Sequence, residues 1–129
     1  MKEDNLTELV RRNNISELIV HLDKNINQLN AKGDTALLIA TRLNNRFLVD
    51  QLINLGADIN HENYRGTSAL TLAIFNGYLE IAMDLWLSGA KPIRPEDKEG
   101  DTSNLVHTVT YKGNLRKLEE KMKKQGINH

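Results

Sequence analysis

The chain has 129 residues, 40% of them hydrophobic and 26% charged, which suits one globular domain with one continuous core. Its 17 basic and 17 acidic residues cancel, which speaks against nucleic acid or an anionic membrane as the main partner, since both reward a basic surface. It contains no cysteine, so disulfides, thiolate zinc sites and a cysteine nucleophile are excluded.

The charged residues 1–5 lead into no apolar run. No signal peptide and no membrane span are expected, and the compartment is read as cytoplasmic, with a signal-peptide-independent export route left open. Residues 6–13 align with residues 37–44 at a spacing of 31, and Ile15, Leu18, Ile19 and Leu22 then supply a second helix. The exit through residues 23–25 is two residues shorter than its counterparts downstream.

The two middle units carry the plainest pattern. The run Gly33-Asp34-Thr35-Ala36-Leu37-Leu38-Ile39-Ala40 returns as Gly66-Thr67-Ser68-Ala69-Leu70-Thr71-Leu72-Ala73 at a spacing of 33. The same spacing relates Asn30 to Asn63, Asn44 to Gly77, Leu52 to Leu85, and Gly56-Ala57 to Gly89-Ala90. Gly33 and Gly66 fall where a tight turn needs positive φ. Thr35 and Ser68 offer a hydroxyl to start a helix, and Leu37 with Ala40, like Leu70 with Ala73, forms an apolar stripe. Asn44 and Gly77 tolerate the left-handed conformation that ends a helix. A second helix follows in each unit, with Phe47, Leu48, Leu52, Ile53 and Leu55 in one and Ile81, Ala82, Leu85, Trp86 and Leu87 in the other. Phe47 and Trp86 are both read as core. Gly56 and Gly89 close these helices.

In the fourth unit, residues 106–113 align with residues 70–77 at a spacing of 36, so three residues are inserted after Gly89, in a stretch holding Pro92 and Pro95. Gly113 thereby falls opposite Gly77. The last helix keeps only Leu115, Leu118 and Met122 as a stripe, which suits a cap with one face in water.

A turn, two short antiparallel helices and an exit loop, repeated every 33 residues, resemble the ankyrin repeat. Gly56-Ala57-Asp58-Ile59-Asn60, Gly77-Tyr78-Leu79-Glu80-Ile81 and Asp97-Lys98-Glu99-Gly100-Asp101-Thr102 match that family's pattern. The family proline becomes Ala36 and Ala69, its histidine becomes Leu38 and Thr71, and its finger-base aspartate becomes Asn30 and Asn63. His107 lands on the family histidine, which implies a structural role. The resemblance implies an all-α solenoid of four repeats (1–29, 30–62, 63–96 and 97–129), the outer two degenerate caps. One unit cannot bury its own apolar faces; stacked units can.

Catalytic chemistry is not expected. The four histidines are scattered, His61-Glu62 lacks a second histidine at the zincin spacing, and no nucleophile elbow or P-loop is present. No metal and no cofactor are assigned. The resemblance implies instead a protein-binding face made of the turn fingers and the exposed side of each first helix. In this register the face carries Lys32, Asp34 and Arg42 from one repeat, Tyr64, Arg65, Thr67, Phe75 and Asn76 from the next, and Lys98, Glu99, Asp101 and Tyr111 from the last. Tyr64, Arg65 and Phe75 have the composition of interface anchors. The chain is expected to be a monomer alone and a scaffold for another protein. The alternatives are self-association, or an acidic or nucleic-acid partner on the lysine-rich last helix (Lys112, Arg116, Lys117, Lys121, Lys123 and Lys124).

Overall fold

The computed structural model describes residues 5–23, 25–94 and 104–127. Among the described residues seven α-helices follow one another: α1 (Asn5–Arg11), α2 (Ile15–Leu22), α3 (Ala36–Arg42), α4 (Arg46–Asn54), α5 (Ala69–Asn76), α6 (Leu79–Leu87) and α7 (Val109–Lys124), with a 3-10 turn over Asn104–His107. No strand forms among the described residues, and one isolated antiparallel bridge joins Glu62 to Ser68.

Local chemistry sets the boundaries. Thr35 accepts a hydrogen bond from the Leu38 amide and Ser68 from that of Thr71, each at 3.3 Å. Asn14, Asn45 and Thr108 do the same for Glu17, Leu48 and Tyr111. Each such cap contributes about 1 kcal/mol. Asn13, Asn44 and Gly77 take φ of 57°, 57° and 75° at the turns between paired helices, so the expected left-handed stops form. Asn45 Nδ2 also donates to Asn13 Oδ1 at 2.9 Å, tying the first turn to the second.

The first helices stack in a row, α1 on α3 on α5 on α7, while α4, α6 and α7 form the second row. A helix in the middle of such a row has neighbours on several sides. Residues 36–41 of α3 and 69–74 of α5 are accordingly all buried, not only the expected stripe. Thr41 is satisfied by donating to the Leu37 carbonyl at 2.8 Å.

The second helices bury one face each. In α4 that face is Leu48, Val49 and Leu52. Phe47, expected in the core, is 61% exposed. A helix turns about 100° per residue, so a side chain one position before Leu48 points away from a face centred between positions 48 and 49. Leu55 and Leu87 are exposed as well, and Trp86 is half-buried against the core. In α2, Leu18 and Leu22 are buried while Ile19 is exposed.

The last unit departs most from expectation. Gly113 falls opposite Gly77, which ends α5, yet α7 runs unbroken through it for 16 residues. Tyr111, Leu115, Leu118 and Met122 are its buried residues, spaced so that one apolar face continues through the glycine, and strong helix formers fill the helix from Leu115 on. This one helix packs on both α5 and α6. Asn114, next to the glycine, donates to the carbonyls of Ile74 (2.8 Å) and Phe75 (3.1 Å), closing the C-terminal end of α5. His107 lies exposed at the end of the 3-10 turn, and the finger beside it falls outside the described residues.

Candidate partner-binding face

The two described fingers are built alike. Asn30 Oδ1 accepts from the amides of Lys32 (2.9 Å) and Asp34 (3.0 Å), and Asn63 Oδ1 from those of Arg65 (2.9 Å) and Thr67 (3.1 Å). Gly33 and Gly66 complete the turns at φ 77° and 78°. The asparagine side chain supplies the same acceptor an aspartate would, so the finger survives that replacement.

Cross-finger bonds fix the spacing of the two fingers. The Tyr64 amide donates to the Lys32 carbonyl at 3.2 Å. His61 Nε2 lies 2.7 Å from the Gly33 carbonyl, which only accepts, so this nitrogen carries the proton. Asn63 Nδ2 donates to Asp34 Oδ1 at 2.9 Å, and Arg42 Nη1 to Asp34 Oδ2 at 3.1 Å. Asp34 is only 1% exposed, and both of its oxygens are thus engaged. An aspartate at position 63 would set a second carboxylate against this buried one, whereas asparagine donates to it. The ring of Tyr64 lies on Gly33: a Cβ placed there would meet Cγ, Cδ1 and Cε1 at 2.7–2.8 Å. Gly33 is therefore required twice, for its φ and for the ring above it.

Together these contacts leave a groove of about 270 Å³ lined by Lys32, Asp34, Arg42, Asn63, Tyr64 and Arg65. Lys32, Arg42 and Arg65 are exposed around it, and Tyr64 is 72% exposed. Of the residues assigned to the face from sequence, these four surface residues come together. Thr67 is buried, its amide and carbonyl tied to Asn63. Phe75 is half-buried against the core, and Asn76 is exposed at the end of α5, where it donates to the Leu72 carbonyl at 3.0 Å. Tyr111 is a correction: it is 0% exposed, and its hydroxyl donates to the Ile93 carbonyl at 2.6 Å. Its spacing from Leu115, Leu118 and Met122 puts this residue on the buried face of α7, the stripe that covers α5 and α6. Lys98, Glu99 and Asp101 lie outside the described residues.

Sequence reasoning missed His61 and Asn63 as the clasp between fingers. The available signal was asparagine standing in the place of the family aspartate, 29 residues from Asp34.

The second helices carry a different electrostatic arrangement. Arg46 Nε bonds Asp84 at 2.8 Å and lies 3.9 Å from Asp50 and, through Nη1, 3.7 Å from Glu80. Lys121 of α7 pairs with Glu80 at 2.9 Å. Burial, together with a hydrogen bond to Asp84 and its charge, pushes the Asp50 carboxyl up to about 6. Asp84 is itself partly buried, which opposes ionisation, yet hydrogen bonds from Arg46 and Asp50 hold it below the usual carboxylate range. Among the described residues, no three His, Cys, Asp or Glu side chains are grouped to hold a metal, and no helix is long and apolar enough to cross a membrane.

Comparison with known proteins agrees with this architecture. The family of ankyrin repeats, in three copies, matches residues 6–96. The chain is 36% identical over 84 residues to the human Notch-regulated ankyrin repeat-containing protein, covering 60% of this chain and 74% of that one. It is 35% identical over 100 residues to the inactive serine/threonine-protein kinase TEX14 of Bos taurus, which spans 76% of this chain but only 7% of that much longer protein. With the repeat spacing, the stacked helix pairs and this match across most of its length, the chain belongs to the ankyrin-repeat family.

Proposed function

We propose that the chain is a non-enzymatic scaffold that binds a partner protein through the fingers and the adjoining first helices. Ankyrin repeats generally mediate protein–protein interaction. The observation that carries the reading here is Tyr64: a large aromatic ring held against Gly33, anchored through its own backbone to the neighbouring finger, and still mostly exposed. Such a residue loses little conformational freedom on binding, which is what makes aromatic side chains effective anchors. Arg65 flanks it, and Phe75 extends the face along α5. A stack of this size offers about 800 Å² to a partner, enough for a standard interface. Thr67 and Tyr111, both buried, are left out of the contact set, and Asp34 serves it from below by holding Arg42 and Asn63.

The lysine-rich α7 has a structural account of its own. Lys121 pairs with Glu80, and Lys123 and Lys124 sit in the last turn, where cations offset the helix dipole. A cytoplasmic location accords with this reading. The test is affinity capture from lysate of the source organism, with wild type beside a Tyr64/Arg65/Phe75 triple alanine variant. Loss of one protein from the variant alone, with its helical circular dichroism unchanged, is the expected result. Equal recovery by both moves the interface off the fingers.

A further inference from the structure

The account given for α7 covers Lys121, Lys123 and Lys124 and leaves three cations over. Lys112 sits in the first turn, where the helix dipole disfavours a positive charge, and Arg116 and Lys117 lie mid-helix. Lys112, Arg116, Lys117, Lys123 and Lys124 are all exposed, and none has an ion pair or side-chain hydrogen bond among the described residues. The acids of the helix do not neutralise them. Arg94 takes Glu119 at 2.9 Å, and Glu120, exposed, pairs with no cation among the described residues. At about 100° per residue, Lys112, Arg116 and Lys123 fall in one row on the side away from the buried stripe, and Lys117 and Lys124 in a second. Gly113 and Glu120 lie between the rows, and a Cβ at Gly113 would meet nothing within 4 Å, so the midline of this face is open. Val109, at the start of the helix, is its exposed apolar residue.

We propose that the outer face of α7 is a contact for the sugar–phosphate backbone of duplex nucleic acid, bound without regard to base sequence. This lies beyond the finger reading and does not depend on it. Among the described residues, five cations against Glu120 give this face a positive field, in a chain whose 17 basic and 17 acidic residues cancel as a whole. Apart from Val109, the exposed residues of α7 are polar or charged. The face therefore lacks the buried anchors of a protein interface, the aromatic platforms that hold single strands and the apolar side that seats a helix in a membrane surface. A partner for such a surface gains by neutralisation and counterion release, and closely spaced phosphates supply both. From Lys112 to Lys124 the rows run about 18 Å at about 1.5 Å per residue, several phosphates long at about 3.4 Å per step of one strand.

The experiment titrates the full chain against a fluorescein-labelled DNA duplex by anisotropy over a range of salt. A second duplex of unrelated sequence, the single strand and poly-glutamate of matched charge are run beside it. The two duplexes are expected to bind alike, with log affinity falling against log salt at a slope of about −4.5, which is about −0.9 for each of five cations. Amide shifts on adding duplex should fall in α7 and leave α1 to α4 unmoved. Lys112→Gln/Arg116→Gln/Lys117→Gln changes three exposed side chains and is expected to keep the wild-type circular dichroism and melt. It should lose at least about tenfold in duplex affinity at low salt and flatten the slope to about −1.8. Lys112→Arg/Lys117→Arg keeps the charge and should keep the affinity. No duplex binding up to about 1 mM protein at low salt overturns the proposal, as does a slope that the triple variant leaves unchanged. A strong preference between the two duplexes overturns the backbone reading, and tighter binding of the single strand overturns the duplex. Tighter binding of poly-glutamate, with shifts in the same helix, replaces nucleic acid by an acidic protein segment.

Discussion

The finger side and the second-helix side of this solenoid are held by different physics. On the finger side, Asp34, Asn63, Gly33 and Tyr64 form contacts that are buried or sterically unique, and few substitutes keep the geometry. On the second-helix side, Arg46 mediates between Asp50, Glu80 and Asp84 in partly exposed ion pairs, and Phe47 stands in solvent. Exposed pairs contribute little each, because water screens them and holding long side chains costs entropy. The difference teaches where the molecule specifies a shape and where it only tolerates one. Precision is concentrated on the face proposed to bind.

That contrast can be broken most severely at Asn63. Asn63→Asp replaces the donor to Asp34 with a second carboxylate, and a loss of about 2–4 kcal/mol at neutral pH is expected from urea denaturation. The deficit should shrink as pH falls through the carboxylate range, since protonating the introduced carboxyl restores a donor to Asp34. A pH-independent deficit would locate the damage elsewhere. Gly33→Ala comes next: positive φ and the overlying Tyr64 ring together are expected to cost about 1–3 kcal/mol and to quench the environment-dependent signal of Tyr64 in amide spectra.

The second-helix side sharpens the comparison with smaller effects. Asp50 has a raised pKa in the fold, so its contribution is fully present below the ordinary carboxylate value and is lost as pH rises through about 6. Asp50→Asn keeps a donor toward Asp84 without the charge. It should therefore be more stable than wild type at neutral pH by about 0.5–1 kcal/mol, a figure discounted because the Asp50 side chain is 43% exposed, with the gain vanishing near about pH 4. A gain that grew as pH fell would reverse the sign of the argument. Phe47→Gln is expected to change stability by no more than about 0.5 kcal/mol in thermal or urea melts, as befits an exposed position. A loss of several times that would return Phe47 to the core.

Most of the fold was legible because it is encoded locally. The glycines at 33 and 66, the hydroxyls at 35 and 68 and the left-handed residues at 44 and 77 each act within a few positions of themselves, and the 33-residue spacing stacks them. What depended on phase was not legible. Phe47 reads as apolar in any list, and only the helical register of Leu48, Val49 and Leu52 turns it outward. Tyr111 was assigned to the surface by the repeat register, and its phase with Leu115, Leu118 and Met122 on one face of α7 turns it inward. The site was half legible: Lys32, Arg42, Tyr64 and Arg65 were named from the repeat register, but the clasp that joins their fingers spans repeats, and its one sequence signal, asparagine in place of the family aspartate, does not name the partner across the gap.

The most direct test of the account is hydrogen exchange of the chain, free and bound to its captured partner. Protection gained at residues 30–34 and 61–67, with the amides of α4 and α6 unchanged, is the result expected of a solenoid that binds through its fingers. Protection gained on α4 and α6 instead, with the finger amides exchanging as before, would contradict it.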